Sequence, residues 1–334
     1  MTGGYPNYMK SGDFNNDGIS DLAVTIETPY YGINMLVGNA NKSFQTQIMT
    51  QLSYIRGFMA SGDFNHDDNL DLVAPDGGLS VLLGTGNGFF QNLVNYATDY
   101  FIIAVCTADF NNDGKLDLAI SKCRCPSYCV SVLLGNGDGT FQPEVNYSSS
   151  SNLNYMISDD FNNDGKKDLV IVCDGNRSVN ILLGNGNGTF MTPKLIVTAD
   201  NSEFAISGDF NHDGNLDLAV AHIVPYVIGV LIGYGNGHFS NESLYSTGTF
   251  TTSMVTGDFN MDGNLNFAVS CLNTNEMGLF IGNGDGTFRM EPLYSSLGEA
   301  FDSVSGDFNH DNKQDLALAN FLNSTVSLYL NDCN

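Results

Sequence analysis

Seven near-copies of one nine-residue segment, Asp-Phe-Asn-x-Asp-Gly-x-x-Asp, recur along this chain, beginning at Asp13, Asp63, Asp109, Asp160, Asp209, Asp258 and Asp307. Successive copies lie 50, 46, 51, 49, 49 and 49 residues apart. That period is a supersecondary unit, too long for a heptad or a collagen triplet, so the chain is an array of units that bury themselves against one another. Within each copy, oxygen-bearing side chains fall on alternate positions of a tight turn. A hard cation such as calcium, which takes about six to eight oxygen ligands, needs that arrangement.

In the first copy Asp13, Asn15 and Asp17 offer side-chain oxygens from positions 1, 3 and 5. Gly18 permits the sharp turn, the carbonyl of Ile19 serves position 7, and Asp21 closes the set from position 9. The corresponding residues are Asp109, Asn111, Asp113, Lys115 and Asp117; Asp160, Asn162, Asp164, Lys166 and Asp168; and Asp209, Asn211, Asp213, Asn215 and Asp217. The other three copies depart from the pattern. Asp68 replaces the turn glycine among Asp63, Asn65, Asp67, Asn69 and Asp71, and Asn312 does so among Asp307, Asn309, Asp311, Lys313 and Asp315. Both residue types tolerate a left-handed backbone, so these copies should still bind. Among Asp258, Asn260, Asp262, Asn264 and Asn266 the last carboxylate has become an amide, so copy six should bind most weakly.

An EF-hand starts similarly but needs a Glu at position 12, where this chain has Val24, Ala74, Ile120, Ile171, Val220, Val269 and Leu318. Position 9 is followed instead by short β-forming runs such as Asp-Leu-Ala-Val-Thr-Ile from Asp21, so each loop joins two strands. A metal-free Asp-Gly hairpin turn is the plain alternative. Crowding three carboxylates into nine residues, repeated seven times, argues against it, least so in copy six. The ligand positions of the loops account for 20 of 37 acidic residues against only 12 Lys and Arg, leaving a formal charge of −25 that seven divalent cations would reduce to −11. A chain this acidic has no electrostatic attraction to nucleic acid or to anionic membranes.

A second anchor, Gly-Asn-Gly-x-Gly-Thr-Phe, ends at Phe141, Phe190 and Phe288, with looser versions ending at Phe44, Phe90 and Phe239. From each of these phenylalanines to the next loop's first Asp is always 19 residues, whereas insertions fall in the other interval. Each repeat reads as four short strands with Gly/Asn turns and no helical period, which predicts an all-β chain. Four strands taken seven times predict a seven-bladed β-propeller, one domain over residues 1–334, with the acidic loops 13–21, 63–71, 109–117, 160–168, 209–217, 258–266 and 307–315 joining strands one and two. A parallel β-helix would have much shorter rungs.

The paired loop and Gly-x-Gly-x-Phe segment resemble the FG-GAP/VCBS repeat of integrin α propellers, of extracellular proteins and of some fungal lectins. The resemblance covers essentially the whole chain. It implies up to seven Ca²⁺ ions on one face, ligand binding on the opposite face, and an extracellular, secreted or cell-surface location; it names no ligand. An adhesion, protein-binding or assembly scaffold is the expected role, with a glycan-binding lectin and a structural subunit of an extracellular polymer as alternatives. The loops of the opposite face differ from blade to blade, which argues against a repeated sugar site. Tyr30, Tyr31, Tyr128 and Tyr226 are its aromatic candidates, for stacking on sugar, for protein contact, or simply for capping blade ends.

Seven cysteines include Cys123, Cys125 and Cys129, where a local disulfide from Cys129 to Cys123 or Cys125 fits better than zinc; Cys106, Cys173 and Cys271 read as free thiols. Sequons stand at Asn41, Asn146, Asn176, Asn187, Asn241 and Asn323. No signal peptide or membrane span is visible, so a leader has been removed or the sequence starts inside a longer protein. No catalytic motif stands out, His66, His212 and His310 read as exposed spacers at loop position 4, and a binding protein is expected instead of an enzyme. By the repeat spacing, blade seven lacks its fourth strand. An open edge of that kind is a template for a strand from a longer precursor or from a second copy of the chain.

Overall fold

The computed structural model describes residues 2, 4–27, 31–39, 43–55, 57–96, 101–123, 129–148, 153–173, 177–272, 274–296 and 298–332. Among these every regular element is a β-strand, and the strands form seven antiparallel sheets. Blade one is β1 (Pro6–Gly12), β2 (Asp21–Ile26), β3 (Gly32–Asn39) and β4 (Ser43–Gln51). Blade two follows with β5 (Ala60–Gly62), β6 (Asp71–Pro75), β7 (Leu79–Gly84) and β8 (Phe90–Tyr96), and blade three with β9 (Phe101–Ala108), β10 (Asp117–Cys123), β11 (Cys129–Leu133) and β12 (Val145–Ser148). Blade four is β13 (Leu153–Asp159), β14 (Asp168–Cys173), β15 (Ser178–Leu182) and β16 (Lys194–Val197). Blade five is β17 (Ser202–Gly208), β18 (Asp217–His222), β19 (Val227–Leu231) and β20 (Ser243–Ser246).

Blade six runs β21 (Thr251–Gly257), β22 (Asn266–Cys271), β23 (Glu276–Gly282) and β24 (Phe288–Met290), with β25 (Tyr294–Ser295) also pairing to β23, so its outer strand is broken in two. Blade seven has only β26 (Ala300–Gly306), β27 (Asp315–Asn320) and β28 (Thr325–Tyr329) among the described residues, as the repeat spacing predicts. In all seven the acidic loop joins the first two strands.

Among the described side chains the second strand of every blade is buried on both faces, and it opens on at least three apolar residues after its Asp or Asn. Outer strands such as β20 are short and mostly exposed, as edges of soluble sheets are. Cores form between blades. Met9, Leu22, Val24 and Ile26 of blade one pack with Val304, Phe308, Ala317 and Ala319 of blade seven, closing the ring. Each such buried Met, Leu, Val, Ile or Phe side chain stabilises the fold by about 1.5–3 kcal/mol.

The two sequence anchors meet at the blade seams. The loop phenylalanine of one blade packs against the Gly-x-Gly-x-Phe ring of the next: Phe14 with Phe90, Phe64 with Phe141, Phe110 with Phe190, Phe161 with Phe239, Phe210 with Phe288, and Phe308 with Phe44 across the closure. Their centroids lie 5.3 to 6.2 Å apart, mostly edge to face. At the seam between blades six and seven Phe259 is covered differently: Asn331 Nδ2 donates to its carbonyl at 2.9 Å.

Candidate functional site

Each acidic loop is a wrapped turn held by its own side chains. In the first, Asp13 Oδ1 accepts from the Asp17 N–H (3.0 Å) and Oδ2 from the Gly18 N–H (2.8 Å), while Asp17 Oδ1 accepts from Ile19 N–H (2.9 Å). The pattern recurs in the other copies, for example from Gly114 and Gly165 to Asp109 and Asp160. Where glycine is missing, Asp68 (φ 64°) and Asn312 (φ 62°) take the left-handed turn, as their residue types predict.

Position 9 is the deepest. Asp21, Asp71, Asp117, Asp168 and Asp217 are fully buried, and each accepts two backbone N–H groups. For Asp168 these come from Phe161 (2.9 Å) and Gly184 (2.7 Å). Burial pushes each of these five carboxyls up to about 6, the N–H donors oppose the push, and the loop's two other carboxylates add to it. Asp315 is raised for the same reasons. Three carboxylates therefore feel one another in each of these six loops, with an amide oxygen beside them, and the donor set suits a hard cation. As they stand the carboxylates are engaged with loop N–H groups, and no three acidic, His or Cys side chains among the described residues form a ready cage.

Position 4 is exposed, as the sequence predicts, but in several copies it does more than space the loop. All seven residues there, from Asn16 to His310, are left-handed, with φ between 56° and 61°. Several bridge blades: Asn16 Nδ2 donates to Asn69 Oδ1 (2.8 Å), Asn163 Nδ2 to Asn215 Oδ1 (2.7 Å), His212 Nε2 meets Asn264 Oδ1 (2.9 Å), and His310 Nδ1 lies 3.1 Å from the Gly18 carbonyl. In the first three of these contacts position 4 meets position 7 of the next blade, and in the fourth it meets position 6. A Ser or Thr two residues before each loop was also overlooked. Ser11, Ser158 and Ser305 hydroxyls donate to the equivalent carbonyls of Ser305, Thr107 and Thr256 in the preceding blade.

Of the aromatic candidates on the opposite face, Tyr30 and Tyr128 lie outside the described residues. Tyr31 packs on Tyr54 (5.5 Å), which meets Phe101 (6.5 Å), a short aromatic run across blades one to three. Tyr226 is 40% exposed in a left-handed turn beside Pro225. Asn146, Asn187, Asn241 and Asn323 are exposed, and Asn41 and Asn176 lie outside the described residues. Cys106 and Cys271 are free thiols, as expected, and Cys173 Sγ accepts from Asn180 Nδ2 at 3.1 Å. Cys125 and the side chains of Cys123 and Cys129 are outside the described set.

Blade five holds a Ser202, His222, Glu242 relay with contacts of 3.3 and 2.9 Å. All three are buried or nearly so, and Glu242 also accepts the Ala199 N–H; the relay ties β17, β18 and β20 together. On the propeller axis Phe58 forms a plug, with ring centroids 4.5 Å from Tyr8, 4.7 Å from Tyr155 and 5.5 Å from Phe204. On the acidic-loop side of the plug lie two cavities of about 320 and 290 Å³ that share Lys10 and Tyr155. Lys10 is half-buried in the channel wall and lines both cavities; burial lowers its pKa and nearby Asp302 opposes that. Asp302 accepts the Met9 N–H and the Ser253 hydroxyl, both at 2.7 Å.

Residues 13–74, 63–120 and 160–220 match the FG-GAP-like repeat. No curated protein matches the chain in sequence. Among solved structures, BBS1N in complex with ARL6DN superposes with a TM-score of 0.68 at 11% identity, covering 100% of this chain and 96% of that one. An Agrocybe aegerita lectin with specific recognition of non-reducing terminal N-acetylglucosamine gives 0.64 at 17% identity, covering 95% and 86%. At such identities the likeness is one of fold.

Proposed function

This chain belongs to the FG-GAP-like repeat family, and from that premise we propose that it is an extracellular, calcium-loaded propeller scaffold whose face opposite the acidic loops binds a protein partner. The observation that carries the calcium reading is the buried position-9 carboxylate, raised to about 6 in five loops and set beside two more carboxylates. Such a group is left without a countercharge at neutral pH, and a divalent cation supplies one. In loop one Asp13, Asn15, Asp17, the Ile19 carbonyl and Asp21 would hold it, exchanging loop N–H contacts for coordination.

The protein-binding reading rests on the blade-to-blade variety of the opposite face and on its aromatic run, of which Phe101 is exposed and Tyr31 and Tyr54 are half-buried. Of the similar propellers, one carries a protein partner and one recognises a sugar. A glycan array on calcium-loaded protein separates the two, since strong binding to one sugar class would favour the lectin.

Thermal unfolding tests the calcium reading. A site at tenfold excess of ion over its Kd adds about 1.4 kcal/mol, so six sites together should move the melting temperature by many degrees. Excess chelator should lower it and added calcium restore it; an unchanged curve would sink the proposal.

A further inference from the structure

At the end of the axis away from the acidic loops, a separate cavity of about 250 Å³ opens above the Phe58 plug. Four aromatic rings line it, from Tyr8, Phe58, Phe250 and Phe301, and among the described residues Glu203 is the one carboxylate in its lining, with no Lys, Arg or His beside it. Tyr8 stands at 60° to Phe58 and at 81° to Phe301, so these rings meet as walls and do not collapse into a stack. Asn154 Nδ2 tethers the Glu203 carboxylate at 2.9 Å.

The backbone has been bent to build this lining. The innermost strands β1, β9, β13, β17, β21 and β26 each slip register near their start. The skipped residue is Asn154 in β13, Glu203 in β17, Thr252 in β21 and Phe301 in β26, and all four line the cavity. A β-bulge re-aims one side chain out of the alternating pattern, and here successive blades aim theirs at the same point.

We infer that this cavity binds a trimethylammonium group. Aromatic faces attract cations through their quadrupole, most strongly when water is excluded, and a carboxylate beside them adds direct attraction. The formal charge of −25 draws cations to the molecule as a whole. A volume of about 250 Å³ falls below the ~300 Å³ at which pockets for drug-sized ligands begin, which suits a head group better than a whole sugar. The inference goes beyond the calcium proposal and uses none of its ligands.

Titration calorimetry on the full chain in calcium buffer, at constant ionic strength, tests it with choline and its neutral carbon isostere 3,3-dimethylbutan-1-ol. Choline should bind at least about tenfold more tightly than the isostere, a gap of about 1.4 kcal/mol. A peptide carrying trimethyllysine, set against the unmethylated peptide, shows whether the group is presented on a protein or as a free molecule. Glu203→Gln keeps an acceptor for Asn154 and should weaken choline several-fold, while Phe301→Leu should do so without changing the response to calcium. Equal binding of choline and isostere, or no binding of either methylated probe by protein with an unchanged melting curve, overturns the inference.

Discussion

Loop six and its neighbours solve the same packing problem with different chemistry. Asn266 is as fully buried as Asp168, and its Oδ1 accepts the Phe259 N–H as Asp168 accepts that of Phe161. The difference lies in the second contact. Asp168 reaches across to the Gly184 N–H at the end of β15, whereas Asn266 turns its amide back to the carbonyl of Asn264 in its own loop. The carboxylate clamps two strands but carries a charge into a dry place. The amide gives up the clamp and needs no countercharge. One residue therefore separates a loop that calls for a proton or a cation from one that is satisfied by itself.

The largest test of this contrast acts on six loops at once. Unfolded Asp titrates near 3.9, so a folded value of about 6 in five of these loops, and a raised one for Asp315 in the sixth, means that the native state holds the proton more tightly. The associated stability is fully present below about pH 4 and is lost as pH rises through about 6. Chelator-treated protein should melt at a higher temperature at pH 4.5 than at pH 7.5. With calcium the trend should reverse, because the ion needs deprotonated ligands. A flat profile in chelator would remove the distinction between the loops.

Truncation comes next in size. Asp168→Ala strands two buried N–H groups and should cost about 2–6 kcal/mol in urea unfolding, against about 1–3 for Asn266→Ala, which strands one. Equal losses would mean that the clamp to β15 contributes nothing. The reciprocal change is the finest probe. Asn266→Asp places a third carboxylate beside Asp258 and Asp262, so it should destabilise chelated protein by about 1–2 kcal/mol. It should also add one ion to the calcium stoichiometry, and an unchanged count would show that position 9 is dispensable for binding.

Much of this was legible in the chain itself. Spacing gave the blades, their strand order and the short blade seven, and residue type foretold the left-handed turns at Asp68 and Asn312. What escaped were contacts whose partners lie a full repeat away. Asn16 meets Asn69 and His212 meets Asn264, so a residue that varies among Asn, His and Met looked like filler when each loop was read alone. The Ser or Thr ahead of every loop was readable as a seventh-fold regularity, but its meaning depends on a neighbour's carbonyl. The axial cavity escaped for another reason: bulges break the alternation on which strand reading relies, and they turn Glu203 and Phe301 inward against it.

The seam between blades six and seven has a bearing on lifetime. Phe259 is 8% exposed where the other six loop phenylalanines are 1 to 3%, and its carbonyl is held by the Asn331 side chain instead of by a glycine N–H, such as the one from Gly188 to Phe110. A closed ring cannot unroll until one joint parts, and the joint that parts most readily sets the rate for all of them. How long the native molecule survives would then be governed by this single asymmetric joint, whatever the average blade contributes to equilibrium stability.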